Sequence, residues 1–64
     1  MIVNGQRIDL VKEISLIDFL KNAGYNTERV AVEKNGGIVP KKFFDTEMLA
    51  DGDKVEIVHF VGGG

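Results

Sequence analysis

The chain has 64 residues, of which 44% are hydrophobic and 28% are charged, and its formal net charge is −2. A chain this short supplies a single domain, and its mixture of apolar and charged residues is that of a globular protein, not of a disordered tail. The eight Lys and Arg residues are scattered, which argues against phosphate-driven binding of nucleic acid, and the absence of cysteine excludes disulfides, thiolate metal sites and a side chain carrying a persulfide or thioester.

The first ten residues, MIVNGQRIDL, predict a β-hairpin. Asn4-Gly5 indicates a two-residue type I′ turn, because both residues tolerate the positive φ that this turn requires. Pairing outward from the turn sets Ile2 opposite Arg7 and leaves Ile2 on the polar face of the hairpin. The side chains expected to point inward are those of Met1, Val3, Ile8 and Leu10.

The segment ISLIDFLKNAG predicts a helix. Ser15 is a good N-cap residue, and Asp18 follows in the first turn, near the positive end of the helix dipole. Gly24 is expected to end the helix in the left-handed conformation. The residues at helical spacing that form the expected inner stripe are Leu16, Phe19, Leu20 and Ala23.

The middle of the chain, VAVEKNGGIVP, predicts two strands joined by a turn. Val30 to Lys34 form the first strand, and Asn35-Gly36-Gly37 form the turn. A short edge strand, Ile38-Val39, then ends at Pro40, which has no N–H to donate to a ladder. Residues 41–50 have no clear period, and an irregular turn or short helix packed on the core is expected from their apolar side chains, Phe43, Phe44, Met48 and Leu49.

The segment DKVEIVHFV follows a turn at Asp51-Gly52 and predicts the longest strand of the protein. Its outer face begins with polar residues and ends with two apolar ones, Val58 and Phe60. The inner face is expected to hold Val55, Ile57, His59 and Val61.

The order of these elements predicts an α+β fold of the β-grasp type. We expect a mixed sheet of four to five strands, with the last strand beside the first and one main helix packed on one face. Residues 1–61 then form a single domain, and residues 62–64 form a flexible glycine tail. A two-layer α+β domain with another strand order is also compatible with the periodicity.

No side chain in this sequence indicates catalysis or a resident metal or cofactor. Ser15, the only serine, is explained as a helix cap, so a Ser-His-Asp arrangement would remove it from that position. His59 is the only histidine, and without cysteine a metal site would need carboxylates alone beside it. Lys41 and Lys42 are interpreted as a solvated basic pair.

The three glycines at positions 62–64 are the most unusual feature of the chain. They could be the remnant of a linker, since termini fray. Alternatively, because glycine lacks Cβ, such a tail could extend through a narrow slot and bring the terminal carboxylate to another protein's active site. A carboxylate used in this way must first be activated, typically as a mixed anhydride with AMP.

Taken together, the MIVNG opening, the ISLIDFL helix, VAVEKNGGIVP, LADGDKVEIV and the HFVGGG ending resemble the ThiS family, the ubiquitin-like sulfur carriers of thiamine biosynthesis, over the full length. The resemblance implies a carrier and not an enzyme. An adenylating enzyme of the ubiquitin-activating type would use ATP and magnesium to adenylate Gly64. A cysteine desulfurase or similar donor would supply sulfur for a thiocarboxylate, and thiazole synthase would accept that sulfur. The family's diglycine falls on Gly63 and Gly64, with Gly62 as an extra flexible unit.

Ile2, Val58 and Phe60 share the outer face in the predicted layout, and we expect them to form an apolar patch that docks the activating enzyme and thiazole synthase. In the alternative layout, the irregular segment folds over these residues. Two other functions remain open, a sulfur carrier of molybdopterin synthesis and a noncovalent ubiquitin-like interaction module with an incidental tail.

The expected setting follows from two further features. No apolar stretch approaches the ~18 residues of a membrane span, and Met1 runs into strand-like sequence without a signal-peptide pattern. We therefore expect a cytoplasmic monomer whose partners are proteins.

Overall fold

The computed structural model describes residues 1–60. The predicted boundary between the domain and the glycine tail lies outside this range and stays a prediction. The regular elements, in chain order, are β1 (Ile2–Val3), β2 (Gln6–Arg7), β3 (Ile14–Ser15), α1 (Leu16–Asn22), β4 (Val30–Lys34), β5 (Gly37–Val39), a 3₁₀ helix (Lys41–Phe43), β6 (Met48–Leu49) and β7 (Lys54–His59).

Five strands form one mixed sheet in the order β2-β1-β7-β4-β5. β1 runs parallel to β7, and the other neighbouring pairs are antiparallel. The last of these strands along the chain, β7, is therefore the central one. Side chains of α1 and of one sheet face share a single core, so the predicted β-grasp fold is confirmed and the alternative strand order is wrong.

Both predicted hairpins form, the first with the expected turn chemistry. In the second, Gly37 pairs with Lys34 as the first residue of β5, so the turn has two residues and not the three predicted. Asn4 and Gly5 have φ of 50° and 82°, and Ile2 lies opposite Arg7 as predicted. The positive φ values of Asn35 (52°) and Gly36 (88°) repeat this turn between β4 and β5. Two-residue turns of this kind match the twist of the strands they join, which fixes the register of each hairpin.

The inward face of the first hairpin differs in part from the prediction. Met1 and Val3 are buried, and Leu10 packs half-buried against the core. The side chain of Ile8, however, is 36% exposed, so its predicted inward position is wrong. Ile8 follows β2, the edge strand of the sheet, where a side chain has strand neighbours on one side only.

Helix α1 begins and ends as its sequence predicts. The Asp18 N–H donates to Ser15 Oγ at 3.2 Å, and Gly24 adopts a φ of 86° just after the helix. Leu16 and Leu20 are fully buried, but Ala23 is exposed, against the prediction. The chain reverses at Gly24 and the Tyr25 N–H donates to the Leu20 carbonyl, so Tyr25 packs on the core beyond the last helical turn.

A second, two-stranded sheet was not predicted. β3 pairs with β6, with Ile14 opposite Leu49. The Ile17 N–H donates to the Phe44 carbonyl at 2.8 Å, which ties the segment between β5 and β7 to the start of α1. Of the four apolar residues expected to pack inward from this segment, Phe44 and Leu49 are buried. The other two are exposed, Phe43 by 46% and Met48 by 43%.

The core is one cluster of buried apolar side chains drawn from the helix, the main sheet and the irregular segment. The members are Met1, Val3, Leu16, Phe19, Leu20, Val30, Val32, Val39, Phe44, Leu49, Val55 and Ile57.

A polar network holds the chain just before β7. The Asp53 carboxylate accepts hydrogen bonds from Asn35 Nδ2 at 3.0 Å and from the Ala50 N–H at 2.8 Å. These two bonds, with the Asn35 bond dominant, lower the pKa of Asp53, because they stabilise its charged form. Asn35 Oδ1 also accepts from the Lys54 N–H at 2.8 Å, so the Asn35 side chain joins the turn between β4 and β5 to the start of β7.

Lys34 extends this network towards the second sheet. Its Nζ donates to Glu47 Oε2 and to the Met48 carbonyl, each at 2.8 Å. The hydrogen bond to Glu47 is the main reason that the pKa of Lys34 is raised. The start of β7 and the irregular segment are thus joined through polar contacts as well as through the core.

Candidate functional site

The end of β7, where the chain leaves the sheet, is held by a backbone hydrogen bond to the segment before β4. β7 ends at His59, and the Phe60 N–H still donates to the Arg29 carbonyl at 2.8 Å. Four residues follow Phe60, and four residues can extend at most about 14 Å. The sequence predictions for Gly62, Gly63 and Gly64 lie outside the described residues and stay predictions.

Asn4 holds β7 from the other side. Its Oδ1 accepts from the Ile57 N–H at 2.7 Å, and its Nδ2 donates to the Ile57 carbonyl at 3.2 Å. The Asn4 N–H also donates to the Val55 carbonyl at 2.9 Å. The amide side chain therefore occupies the position that a further residue of β1 would take in the ladder, after the main chain has turned away.

The outer face of the sheet, opposite α1, carries exposed apolar side chains next to this exit. Val58 is 59% exposed and follows the buried Ile57 in β7, and Phe60, two positions after Val58, is 52% exposed. Ala31 of β4 lies directly opposite Val58. Ile38 of β5, 77% exposed, lies opposite the residue two positions after Ala31, which makes it a diagonal neighbour. We call Ala31, Ile38, Val58 and Phe60 the sheet-face patch.

The structure does not bring Ile2 into this patch. Ile2 is 42% exposed on the same face, but it lies opposite Lys54. Val58 is four residues further along β7, or ~13 Å at the rise of a strand, and the exposed Glu56 lies between them. The predicted trio therefore divides into a pair beside the exit and a separate residue at the far end of β7.

The irregular segment does not cover the sheet-face patch, because Phe44 and Leu49 pack on the helix side of the sheet. Ile38 was not predicted to belong to the apolar patch, although the sequence contains a signal that indicates its position on the outer face. The two-residue turn at Asn35-Gly36 fixes the register of β4 and β5, and that register sets Ile38 opposite Glu33 on the outer face.

Two carboxylates lie in the same cross-strand row as Ile38, and along β7 this row lies between Val58 and the level of Ile2. Glu33 of β4 and Glu56 of β7 are exposed and lie directly opposite each other. Within residues 1–60 neither forms an ion pair with Lys or Arg. The outer face thus combines an apolar area at the chain exit with a negatively charged margin.

The side chains considered for chemistry in the sequence have structural or solvent-facing positions. Ser15 Oγ caps α1, as described above, and His59 is exposed. Lys41 Nζ donates to the Glu28 carbonyl, and Lys42 Nζ lies 5.2 Å from the centre of the Phe43 ring. Both lysines line a shallow cavity of about 460 Å³ on the helix side.

Two properties of residues 1–60 bear on the predicted setting. No group of three His, Asp or Glu side chains in this range is arranged to hold a metal ion. No helix in the same range has the length and apolar character needed to cross a membrane. The cytoplasmic location stays a prediction.

Comparison with known proteins gives matches over the whole chain. The model of the ThiS family matches residues 1–64. A sulfur carrier protein ThiS from Bacillus subtilis is 38% identical over 63 residues, which cover 97% of this chain and 96% of that protein. An uncharacterized protein ycf40 from Pyropia yezoensis is 42% identical over 62 residues, or 97% of this chain and 87% of the relative.

A similar segment also occurs inside a larger protein. A thiazole synthase from Paramagnetospirillum magneticum is 38% identical over 64 residues, which are 100% of this chain and 20% of that protein. Among solved structures, the crystal structure of a thiamine biosynthesis protein (ThiS) from Geobacter metallireducens superposes with a TM-score of 0.79 at 33% identity. The superposition covers 98% of this chain and 96% of the Geobacter chain.

Proposed function

Because this chain belongs to the ThiS family, we propose that it is a sulfur carrier of thiamine biosynthesis, a protein substrate of its partner enzymes and not a catalyst. The observation that carries this function is the match along nearly the whole length of both the chain and a sulfur carrier protein ThiS. The fold and the three terminal glycines are consistent with it.

The group that carries sulfur in this proposal is the carboxylate of Gly64. A carboxylate resists attack by nucleophiles because it has no adequate leaving group. Attack of the carboxylate on the α-phosphate of ATP releases pyrophosphate and gives an acyl adenylate, from which a sulfur nucleophile displaces AMP. If the nucleophile is sulfide, the product is a thiocarboxylate directly. If it is a persulfide, the form in which a cysteine desulfurase carries sulfur, the product is an acyl disulfide, and a thiol must reduce its S–S bond to release the thiocarboxylate. The adenylating partner supplies ATP and magnesium, which neutralises phosphate charge, and a cysteine desulfurase or similar donor supplies sulfur.

Gly62 and Gly63 serve this chemistry by their lack of side chains. A backbone without Cβ can approach a partner's backbone and nucleotide closely. Gly62 and Gly63 are thus the part of the tail that enters a partner's active site, while the sheet stays outside it. The fixed hydrogen bond of Phe60 at the exit supports this division, since the domain then holds the tail at a defined starting point.

Docking in this proposal is the role of the sheet-face patch, with Val58 and Phe60 next to the exit. Their exposure and position support a surface that binds the activating enzyme and thiazole synthase in turn, because both enzymes need the same tail. The ThiS-like segment within a thiazole synthase further supports that enzyme as the sulfur acceptor.

The function is tested by intact-mass spectrometry. The chain is incubated with the activating enzyme, ATP, magnesium, a sulfur donor and a thiol reductant, and the expected product has one oxygen replaced by sulfur. Omission of ATP, or deletion of Gly64, should abolish the change. An unchanged mass, with an activating enzyme shown to be active on another carrier, would contradict the proposal.

A further inference from the structure

The backbone of β7 directs its hydrogen-bonding groups alternately to the two neighbouring strands. The Phe60 N–H donates towards β4, at Arg29. Val55 and Ile57 direct theirs towards β1 and Asn4. By the same alternation, the N–H and C=O of His59 point to the β1 side of the sheet.

β1 is too short to reach His59. Its ladder with β7 ends at Val3 opposite Val55, and the side chain of Asn4 then satisfies both backbone groups of Ile57. Gly5 turns the chain away into β2. Among residues 1–60, neither backbone group of His59 has a hydrogen-bond partner, so the central strand of the sheet has an open edge at its C-terminal end.

An open strand edge favours pairing with a strand from another chain. Here the edge is limited to the end of β7 by Asn4, and it leads directly into the four terminal residues. It is also continuous with the proposed docking surface, because the flanking side chains of Val58 and Phe60 are exposed on the adjacent face. A protein that covers those side chains is already within reach of the His59 backbone.

We propose that an extended segment of thiazole synthase pairs with β7 at His59, adding a strand on the β1 side beyond Asn4. The inference rests on the proposed function and adds to it a backbone contact that aligns the tail. The sheet-face patch supplies the apolar contact area, whereas the added strand sets the direction in which the chain leaves the sheet.

His59→Pro is the discriminating variant. Proline removes the N–H that has no partner among residues 1–60 and leaves the Phe60 bond to Arg29 intact, and proline is tolerated where the N–H faces solvent at a strand edge. Titration calorimetry with the purified thiazole synthase should show an affinity at least about tenfold lower than for the unmodified sequence. His59→Ala, which removes the imidazole but keeps the N–H, should bind within about threefold. Equal binding by His59→Pro would overturn the inference.

Amide hydrogen exchange on the unmodified chain provides a measurement that does not depend on how well His59→Pro folds. The His59 amide should exchange rapidly in the free protein and become protected in the complex, whereas the Phe60 amide should be protected in both. Absence of added protection at His59 in a formed complex would also overturn the inference. The intact-mass assay on the unmodified chain tests the carrier function separately. The carrier function and the strand pairing at His59 can therefore fail independently.

Discussion

At the scale of single residues, two asparagines fix the central strand. Asn4 and Asn35 each stand at the first position of a two-residue turn with positive φ, a conformation that asparagine tolerates better than most residues. Each also uses its side chain to hold β7, Asn4 at Ile57 and Asn35 at Lys54. Each asparagine thus adopts the positive φ that its turn requires and also accepts a hydrogen bond from a backbone N–H of β7.

Asn4 can be tested by comparing two substitutions. Asn4→Gly keeps the positive φ but removes both bonds to Ile57, so we expect the free energy of unfolding to fall by about 1–2 kcal/mol. Asn4→Asp keeps an acceptor for the Ile57 N–H but directs an oxygen at the Ile57 carbonyl, so at pH 7 it should be less stable than Asn4→Gly. Urea unfolding measures both. Equal stability of all three proteins would show that the side chain is not needed to hold β7.

Asp53 should contribute to stability in a pH-dependent way. Its pKa in the folded protein is lowered, first by the Asn35 side chain and then by the Ala50 N–H. A carboxyl of this kind stabilises the fold above its ordinary pKa of about 3.9 and loses that contribution as the pH falls through the depressed value. Asp53→Asn should therefore lower the Tm at pH 7, and its difference from the unmodified protein should shrink below about pH 4. A difference that stays constant from pH 7 to pH 2 would contradict this assignment.

At the scale of elements, the helix depends on its first turn. α1 has only seven residues, and isolated helices of that length are unstable. Its stability therefore comes from the buried side chains of Leu16, Phe19 and Leu20 and from the Ser15 cap. The cap also stands in β3, so one residue both ends a strand and begins the helix.

Ser15→Ala removes the acceptor for the Asp18 N–H. We expect a loss of about 1 kcal/mol in the free energy of unfolding and a fall in Tm of about 4–8 °C for a domain of this size. Ser15→Thr keeps the hydroxyl and should retain most of the stability. Differential scanning calorimetry compares the three proteins, and equal Tm values for Ser15→Ala and the unmodified chain would exclude a capping role.

Elements with local sequence signals were predictable, and those without them were not. The Asn4-Gly5 turn, the Ser15 cap and the Asn35-Gly36 turn each depend on neighbouring residues only. The pairing of β3 with β6 joins two-residue strands that are more than 30 positions apart, and no periodicity can develop over two residues. Ala23 was wrongly predicted to point inward. The helical spacing of apolar residues extends to position 23, but α1 ends at Asn22 and the chain reverses at Gly24.

At the scale of the whole molecule, the proposed docking surface and the stabilising core lie on opposite faces of one sheet. Val58 and Phe60 could be assigned to the outer face from alternation alone. The separation of Ile2 from them could not, because it depends on the register of the parallel β1–β7 pair, which no turn connects. Burial on one face and exposure on the other mean that substitutions in the sheet-face patch should leave the fold unchanged.

Phe60→Ala is the test of that separation. It should lower affinity for thiazole synthase and for the activating enzyme by about tenfold or more, as expected for an exposed aromatic anchor, with little change in Tm. Val11→Ala, at a fully exposed loop position outside the patch, is the control and should change neither quantity. Ile2→Ala should weaken binding less than Phe60→Ala does. Unchanged affinity of Phe60→Ala for both enzymes would remove the patch from the docking surface.

The order of the strands also has a consequence for biosynthesis. A ribosome delivers β1, β2, β4 and β5 before β7, yet β7 is the strand that joins the two hairpins into one sheet. A nascent chain that stops before residue 54 therefore holds two separate hairpins without a centre, and non-local pairing of this kind forms late in folding. Premature termination thus removes the fold together with the residues that follow it. A fragment that stops before β7 therefore lacks the folded surface that a partner enzyme would bind.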